Sequence, residues 1–361
     1  MNKTQFVSQL NAKDDVLSPF LVKYIGSAMG KDGKSYLNVI LADSTGEIEA
    51  RKWQGAELAL SRVSTGDVVI VNGKVNQFQN RIQLIISEMS KLELDQYTPE
   101  DYIQKASTAP EKMFVELTEI IKGLDEIYIR DLLLLILSDF EISRRLKIWQ
   151  AGKSIHHAYQ SGLLEHILSC TNLAVVLSKH YKVNTSYVVA GCVLHDLCKI
   201  YELTEGPVVD YTEEGKLIGH LVKGLELVDH YGAKLKNFPY QVKMHLKHIL
   251  LAHHGEYEYG SPKIPHTSEA YLVHLIDLMD SKMSSFDQIK KADPNTGHWS
   301  NFIKHLDRIV YKSELPSFKT YIDETQLEKP SRPSENVKEN NKGNLKKTAL
   351  GNLLKDFKVD E

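Results

Sequence analysis

The sequence predicts a multidomain protein: an N-terminal all-β barrel, then an all-α domain, then a disordered C-terminal tail. Three observations carry that reading. At 361 residues, with 42% apolar and 25% charged side chains, the chain has room for about two domains and the ordinary balance of a globular protein. From Pro19 to Leu92 short β-rich runs alternate apolar and polar positions, whereas beyond residue 110 apolar residues recur at i, i+3 and i+4. After Lys329 the composition turns to Lys, Asn, Ser, Glu and Pro, too little apolar surface to offset the entropy of ordering.

The β-rich runs are FLVKYIGSA, SYLNVILAD, EIEARKW, DVVIVNGKV and RIQLIISEM, with Asp32-Gly33 and Thr45-Gly46 at hairpin positions and a short helix within 54–61. Three strands, a helix and two strands is the order of an OB-fold, expected over 14–96. The polar stretch 97–110, with Pro99 and Pro110, reads as a linker. Helices are expected over Glu111–Lys122, Glu126–Ser138 and Phe140–Gln150, which make a connector over 111–160. Further helices over Gly162–His180, Ser186–Leu197, Thr212–His230, Tyr240–His253 and Ser268–Ser284 fill an all-α domain over 161–315. The tail, 329–361, holds one faint amphipathic stretch, Leu345 to Phe357.

Composition excludes several classes. A formal net charge of -3 gives no global basic field, so nucleic-acid contact must come from a local patch. Cys170, Cys192 and Cys198 form neither an even framework nor a CxxC pair, which argues against a disulfide scaffold and for small core residues in a reducing cytosol. The longest greasy run, Leu132 to Leu137, falls far short of the ~18 to 20 residues of a membrane span. MNKTQFVSQL has no apolar leader core, so a cytoplasmic protein without membrane contact is expected. The segment AMGKDGKS resembles a phosphate-binding loop, but Ala28 stands where that motif needs Gly and a strand follows where it needs a helix.

The unusual count is fifteen histidines, most of them between His156 and His266. His195-Asp196 ends the apolar run YVVAGCVLHDLCK. His166 lies in GLLEHILS, His220 in KLIGHLVKG, His253 and His254 in MHLKHILLAHHG, and Asp277 in VHLIDLMDSKM. Each stands in or beside an apolar helical pattern. Neutral imidazole and carboxylate are ligands of Mn, Fe, Ni and Zn, and such a set converging in a core would repel or stay unsatisfied without a cation. The plain alternative for His253-His254 is a helix C-terminus stopped by Gly255, with imidazoles against the dipole. Both residues face one site only if the helix ends there.

In this order the residues resemble the signature H…HD…H…HH…D of the HD-domain metal-dependent phosphohydrolases. The resemblance implies that His166, His195, Asp196 and Asp277 hold one divalent ion, and that Asp196 bridges to a second held by His220, His253 and His254. Mn is the foremost metal, with Mg, Fe, Co or Ni as alternatives. Lys199, in HDLCK, matches a frequent HDxxK and is expected to act with Asp196 in catalysis by holding a phosphate oxygen.

The OB-like N-terminus together with HHAYQSGLLEH, YTEEGKLIGH and HHGEYEYGSPKIPHTSEA is similar to the YhaM family of 3′-to-5′ exoribonucleases, over about residues 14 to 315. That resemblance implies hydrolysis of single-stranded RNA to nucleoside 5′-monophosphates. Cleavage polarity and the preference for RNA over single-stranded DNA rest on it alone. His157, ahead of the first ligand helix, is expected at the site mouth binding phosphate as a protonated imidazole. In the barrel, Tyr36, Trp53 and Phe78 interleave with Arg51 and Arg81, the pairing of stacking rings and cations that a single strand requires. Strand alternation sends some of those rings to the core instead. The apolar helices within 126–150 carry no evident ligand and leave room for a homo-oligomer. Two rival functions stand beside the exoribonuclease: a nucleotide phosphohydrolase or cyclic-nucleotide phosphodiesterase, and a single-strand-binding protein with an inactive HD site.

Overall fold

Alternation along five strands closes the N-terminal barrel. The strands β1 (Asp15–Met29), β2 (Ser35–Asp43), β3 (Gly46–Lys52), β4 (Val68–Phe78) and β5 (Arg81–Lys91) are joined in the order β1-β2-β3-β5-β4, with α1 (Ala56–Leu60) between β3 and β4. β3 and β5 pair in parallel and the other neighbours antiparallel. Every second residue points inward, so Phe20, Val22, Leu37, Val39, Leu41, Val71 and Leu84 form a dry barrel core. This computed structural model describes residues 3–316 except 31–32, 79–80, 154–156, 207 and 294–296. The tail expected over 329–361 lies outside the described residues.

One barrel end is closed by the chain before β1. Lys3 Nζ lies 3.2 Å from Asp43 Oδ2, with both side chains fully buried, and 3.7 Å from the centre of the Phe20 ring. The same carboxylate accepts hydrogen bonds from the amides of Val7 and Thr45, each at 2.8 Å, so the buried charge is fully paired. The stretch 97–110, expected as a linker, is pinned at both ends. Tyr102 is buried against Leu21 and Val68 of the barrel, and the Ser44 amide donates to Asp101 O at 2.8 Å. Beyond it, Gln160 N donates to Gln104 O at 2.9 Å and Ala106 N to Gln160 O at 3.0 Å. Residues Met1–Ser313 form a single compact unit.

The remainder is helical: α2 (Pro110–Lys122), α3 (Ile127–Leu137), α4 (Phe140–Ile148), α5 (Gly162–Tyr181), α6 (Thr185–Leu194), α7 (Lys199–Glu202), α8 (Glu213–Leu217), α9 (Gly219–Gly232), α10 (Tyr240–Ala252) and α11 (Ser268–Ala292). Their apolar stripes merge in one core around Leu117, Leu133, Ile167, Val189, Ile249 and Val273. The larger departures from the expected boundaries are three. The helix expected to run from Ser186 to Leu197 stops at Leu194, because His195 Nδ1 takes the Cys192 carbonyl at 2.9 Å and the chain turns. The helix expected over Thr212–His230 is two, broken where Gly219 adopts φ 77°. α11 runs past Ser284 to Ala292, since Ile289 buries against Leu306 and Val310. Among the described residues no helix is long and apolar enough to cross a membrane.

Candidate metal centre and nucleic-acid face

Five helices, α5, α6, α9, α10 and α11, bring the expected ligands together. His166 stands on α5, His195 and Asp196 in the turn after α6, and Asp277 on α11, with one ligand atom from each within 4.8 Å of the others. His166 Nε2 is 3.1 Å from His195 Nε2 and 3.4 Å from Asp277 Oδ1. A second set, His220, His253 and His254, meets the same spacing. Asp196 stands between the two. Its Oδ2 lies 3.5 Å from both His166 Nε2 and His195 Nε2, while its Oδ1 lies 3.6 Å from His220 Nε2 and 3.9 Å from His253 Nε2.

Each of these imidazoles but one is held through its far nitrogen. His195 Nδ1 faces Cys192 O at 2.9 Å and His253 Nδ1 faces Leu250 O at 2.9 Å. His166 Nδ1 meets Asp280 Oδ2 at 2.7 Å, and His220 Nδ1 meets Glu202 Oε2 at 2.9 Å. A nitrogen facing a carbonyl or carboxylate must donate, which leaves the Nε2 lone pair aimed inward; metal-bound histidines are anchored in the same manner. Gly255, at φ 84° and packed against the His274 ring, ends α10 so that both His253 and His254 reach His220, at ring separations of 5.7 and 5.4 Å.

The fit to a cation rests on atoms without partners. His220 Nε2, His253 Nε2 and His254 Nδ1 are buried and make no hydrogen bond, a state that costs free energy unless something electrophilic is bound. A shared proton could serve the His166–His195 contact, but not these three. Protonation states agree. Burial, reinforced by His195 and His254, holds the His253 imidazole well below its ordinary range, so it stays neutral. Burial pushes the carboxyls of Asp196 and Asp277 up, but Lys199, His195 and His220 around the first, and His166 and His195 around the second, hold both well below the usual range. A neutral His253 beside ionised Asp196 and Asp277 suits a divalent metal. Against burial, Cys170, Asp277 and Asp280 raise the His166 pKa in the metal-free chain, so His166 would give up a proton on binding one.

Lys199 Nζ sits 2.7 Å from Asp196 Oδ2, and its charge is reinforced by that carboxylate against the cost of burial. His157 is placed differently from the exposed mouth expected of it. It is buried behind His166, with Nε2 3.1 Å from Asp280 and Nδ1 3.0 Å from the Tyr159 hydroxyl. Sequence reasoning missed Asp280 and Glu202, the carboxylates behind His166 and His220. A signal was present for the first, since Asp280 follows Asp277 by three residues and shares its helical face. None was present for Glu202, whose partner is eighteen residues away.

On the barrel, Glu49 and Arg51 follow one another on the outer face of β3, and Trp53 lies just past its end, beyond the Leu37–Lys52 pair, next to Tyr36. Their rings stack with centroids 4.6 Å apart and planes at 30°, with Trp53 half exposed. Arg51 and Arg81 flank Glu49 at 3.4 and 3.9 Å. The side chain of Phe78 lies outside the described residues.

A closed OB barrel, joined to helices that gather histidines and aspartates from successive elements, defines an HD-domain protein carrying an OB domain. The chain matches the model of an OB-fold nucleic acid binding domain over residues 22–92 and that of the HD domain over 163–282. It belongs to the YhaM family. The 3'-5' exoribonuclease YhaM of Halalkalibacterium halodurans is 33% identical over 302 residues, 82% of this chain and 92% of the relative. That of Oceanobacillus iheyensis is 32% identical over 296 residues, 81% of this chain and 92% of the relative. Among solved structures, the second OB-fold domain of replication protein A from Methanococcus maripaludis is 26% identical, covering 26% of this chain and 96% of that one, at a TM-score of 0.21.

Proposed function

We propose that this protein is a metal-dependent 3′-to-5′ exoribonuclease that degrades single-stranded RNA to nucleoside 5′-monophosphates; the names of its relatives give 3'-5' exoribonuclease activity for them. The observation that carries the reading is the division of Asp196: one carboxylate oxygen faces His166 and His195, the other His220 and His253. That arrangement suits two divalent ions, most fittingly Mn²⁺. One would be held by His166, His195, Asp196 and Asp277, the other by Asp196, His220, His253 and His254.

Ions held there would supply Lewis acidity, lowering the pKa of water and countering charge that develops on the phosphoryl group. The protein's own groups do the remaining work. Asp196 and Asp277 stay ionised, and His195 and His253 keep their imidazoles fixed through backbone carbonyls, so little reorganisation is left for the reaction itself. Lys199, the one ammonium beside the cluster among the described residues, is placed to bind a non-bridging phosphate oxygen. The Tyr36–Trp53 stack offers a flat apolar surface to bases, and Arg51 and Arg81 offer cations to the backbone.

The test is digestion of 5′-labelled single-stranded RNA with Mn²⁺. The expected result is a ladder that shortens from the 3′ end and releases mononucleotides. A retarded complex without cleavage would favour a binding protein. Hydrolysis confined to free nucleotides or cyclic nucleotides would favour the small-molecule phosphodiesterase.

A further inference from the structure

Asp280 is a junction for three elements. Its Oδ2 accepts from His166 Nδ1 at 2.7 Å and lies 3.1 Å from His157 Nε2, while its Oδ1 accepts from the Ser169 hydroxyl. His157 Nδ1 is in turn 3.0 Å from the Tyr159 hydroxyl, which donates to Glu165. The short stretch carrying His157 and Tyr159 is held in an uncommon shape. His157 and Ser161 both take left-handed backbone conformations, φ 52° and 68°, which persist only where the surroundings over-determine them. Here the surroundings do so: Ala151 N donates to His157 O at 3.1 Å, Ser161 Oγ to Lys147 O at 2.6 Å, and Gln160 pairs with Gln104 and Ala106.

We infer that Asp280 and His157 are positioning residues of the metal centre: Asp280 fixes the tautomer and ring plane of His166, and His157 fixes Asp280. The inference rests on the metal-centre reading above. By taking the Nδ1 proton of His166, Asp280 leaves Nε2 as the nitrogen directed at His195, Asp196 and Asp277. A carboxylate can rotate, and His157 on Oδ2 together with the Ser169 hydroxyl on Oδ1 stops it. The Tyr159 hydroxyl, held by Glu165, then sets the plane of the His157 ring. The chain of contacts ends at Gln160, where the segment after the barrel pairs with this loop, so the first ligand of the centre is braced from the barrel side of the molecule. With both ring nitrogens so engaged, His157 works from behind the centre and not on the phosphate.

The test is calorimetric titration of the chelator-stripped full chain with Mn²⁺. Wild type is compared with Asp280→Asn, His157→Leu and His157→Gln, and KM for RNA is measured alongside. Asp280→Asn is expected to weaken Mn²⁺ binding by roughly 10- to 100-fold. His157→Leu should weaken it in the same direction by less, and His157→Gln, whose amide nitrogen reaches the Nε2 position, should restore most of the loss. Should Asp280→Asn fail to fold, the His157 pair decides the question. Wild-type Mn²⁺ affinity in His157→Leu, with a raised KM for RNA, would overturn the inference and return His157 to the substrate. A wild-type chain that takes up no Mn²⁺ would instead overturn the metal-centre reading and this inference with it.

Discussion

The ammonium of Lys199 lies 2.7 Å from Oδ2 of Asp196, the carboxylate oxygen that also faces His166 and His195. Its charge is therefore present at the centre before any substrate arrives. Lys199→Ala removes one cation and no metal ligand. Turnover on RNA should fall by the ~10²-fold scale of losing one preorganised charge donor, with the bound metal count unchanged. Single-turnover kinetics beside elemental analysis of the purified variant checks this; a lost metal would show that Lys199 supports the ligand shell.

Asp196→Asn keeps the size of the side chain and removes the negative charge that both histidine sets share. Metal uptake should drop by more than the roughly 10- to 100-fold typical of a supporting residue, and RNA hydrolysis should collapse with it. The helical core is built from residues such as Leu133, Ile167 and Val189, so far-ultraviolet circular dichroism should be unchanged. Near-wild-type hydrolysis at saturating Mn²⁺ would remove the bridging role.

Trp53→Ala deletes the half-exposed ring stacked on Tyr36 while leaving the buried alternation of β3 intact. A base-stacking position contributes ~1 to 3 kcal/mol, and single-stranded RNA binding should weaken by that amount in a fluorescence titration. Hydrolysis of a small activated phosphodiester, which needs no platform, should be unaffected. Arg51→Ala should flatten the salt dependence of RNA binding by about one unit of slope, whereas Trp53→Ala should leave the slope in place.

His253 makes the metal-free protein sensitive to mild acid. Its folded-state pKa is held well below the ordinary value by burial, then by His195 and His254. Below about pH 6.5 the unfolded chain takes up a proton there and the folded chain does not. The contribution of this group to stability is thus present above that pH and lost as pH falls toward the folded pKa. His166 acts in the opposite sense: against burial, Cys170 and then Asp277 and Asp280 hold its pKa well above the ordinary value, a stabilisation lost as pH rises. The difference between wild type and His253→Gln isolates the first effect: thermal midpoints from pH 7.5 to 5.5, measured with chelator, should decline less in the variant. Parallel profiles would mean that His253 takes up its proton alike in both states.

Periodicity and order were enough to read much of this protein from its residues. Alternation from Pro19 to Leu92 and the three-strand, helix, two-strand order specify the barrel, because a strand with a period of two can bury only one face. The order of His166, His195-Asp196, His220, His253-His254 and Asp277 in apolar helical patterns marks the candidate centre, because so many ionisable groups entering one core must find partners there. Tertiary structure alone decided what lies behind that first ring of residues. Glu202 reaches His220 across a break at Gly219, Asp280 gathers His157 from the loop before α5 together with His166 and Ser169 of α5, and Lys3 pairs with Asp43 under the barrel. Such contacts depend on where chain reversals place groups that are distant in sequence. A local pattern carries the burial of a residue's own face, but not the identity of the partner that packing delivers to it.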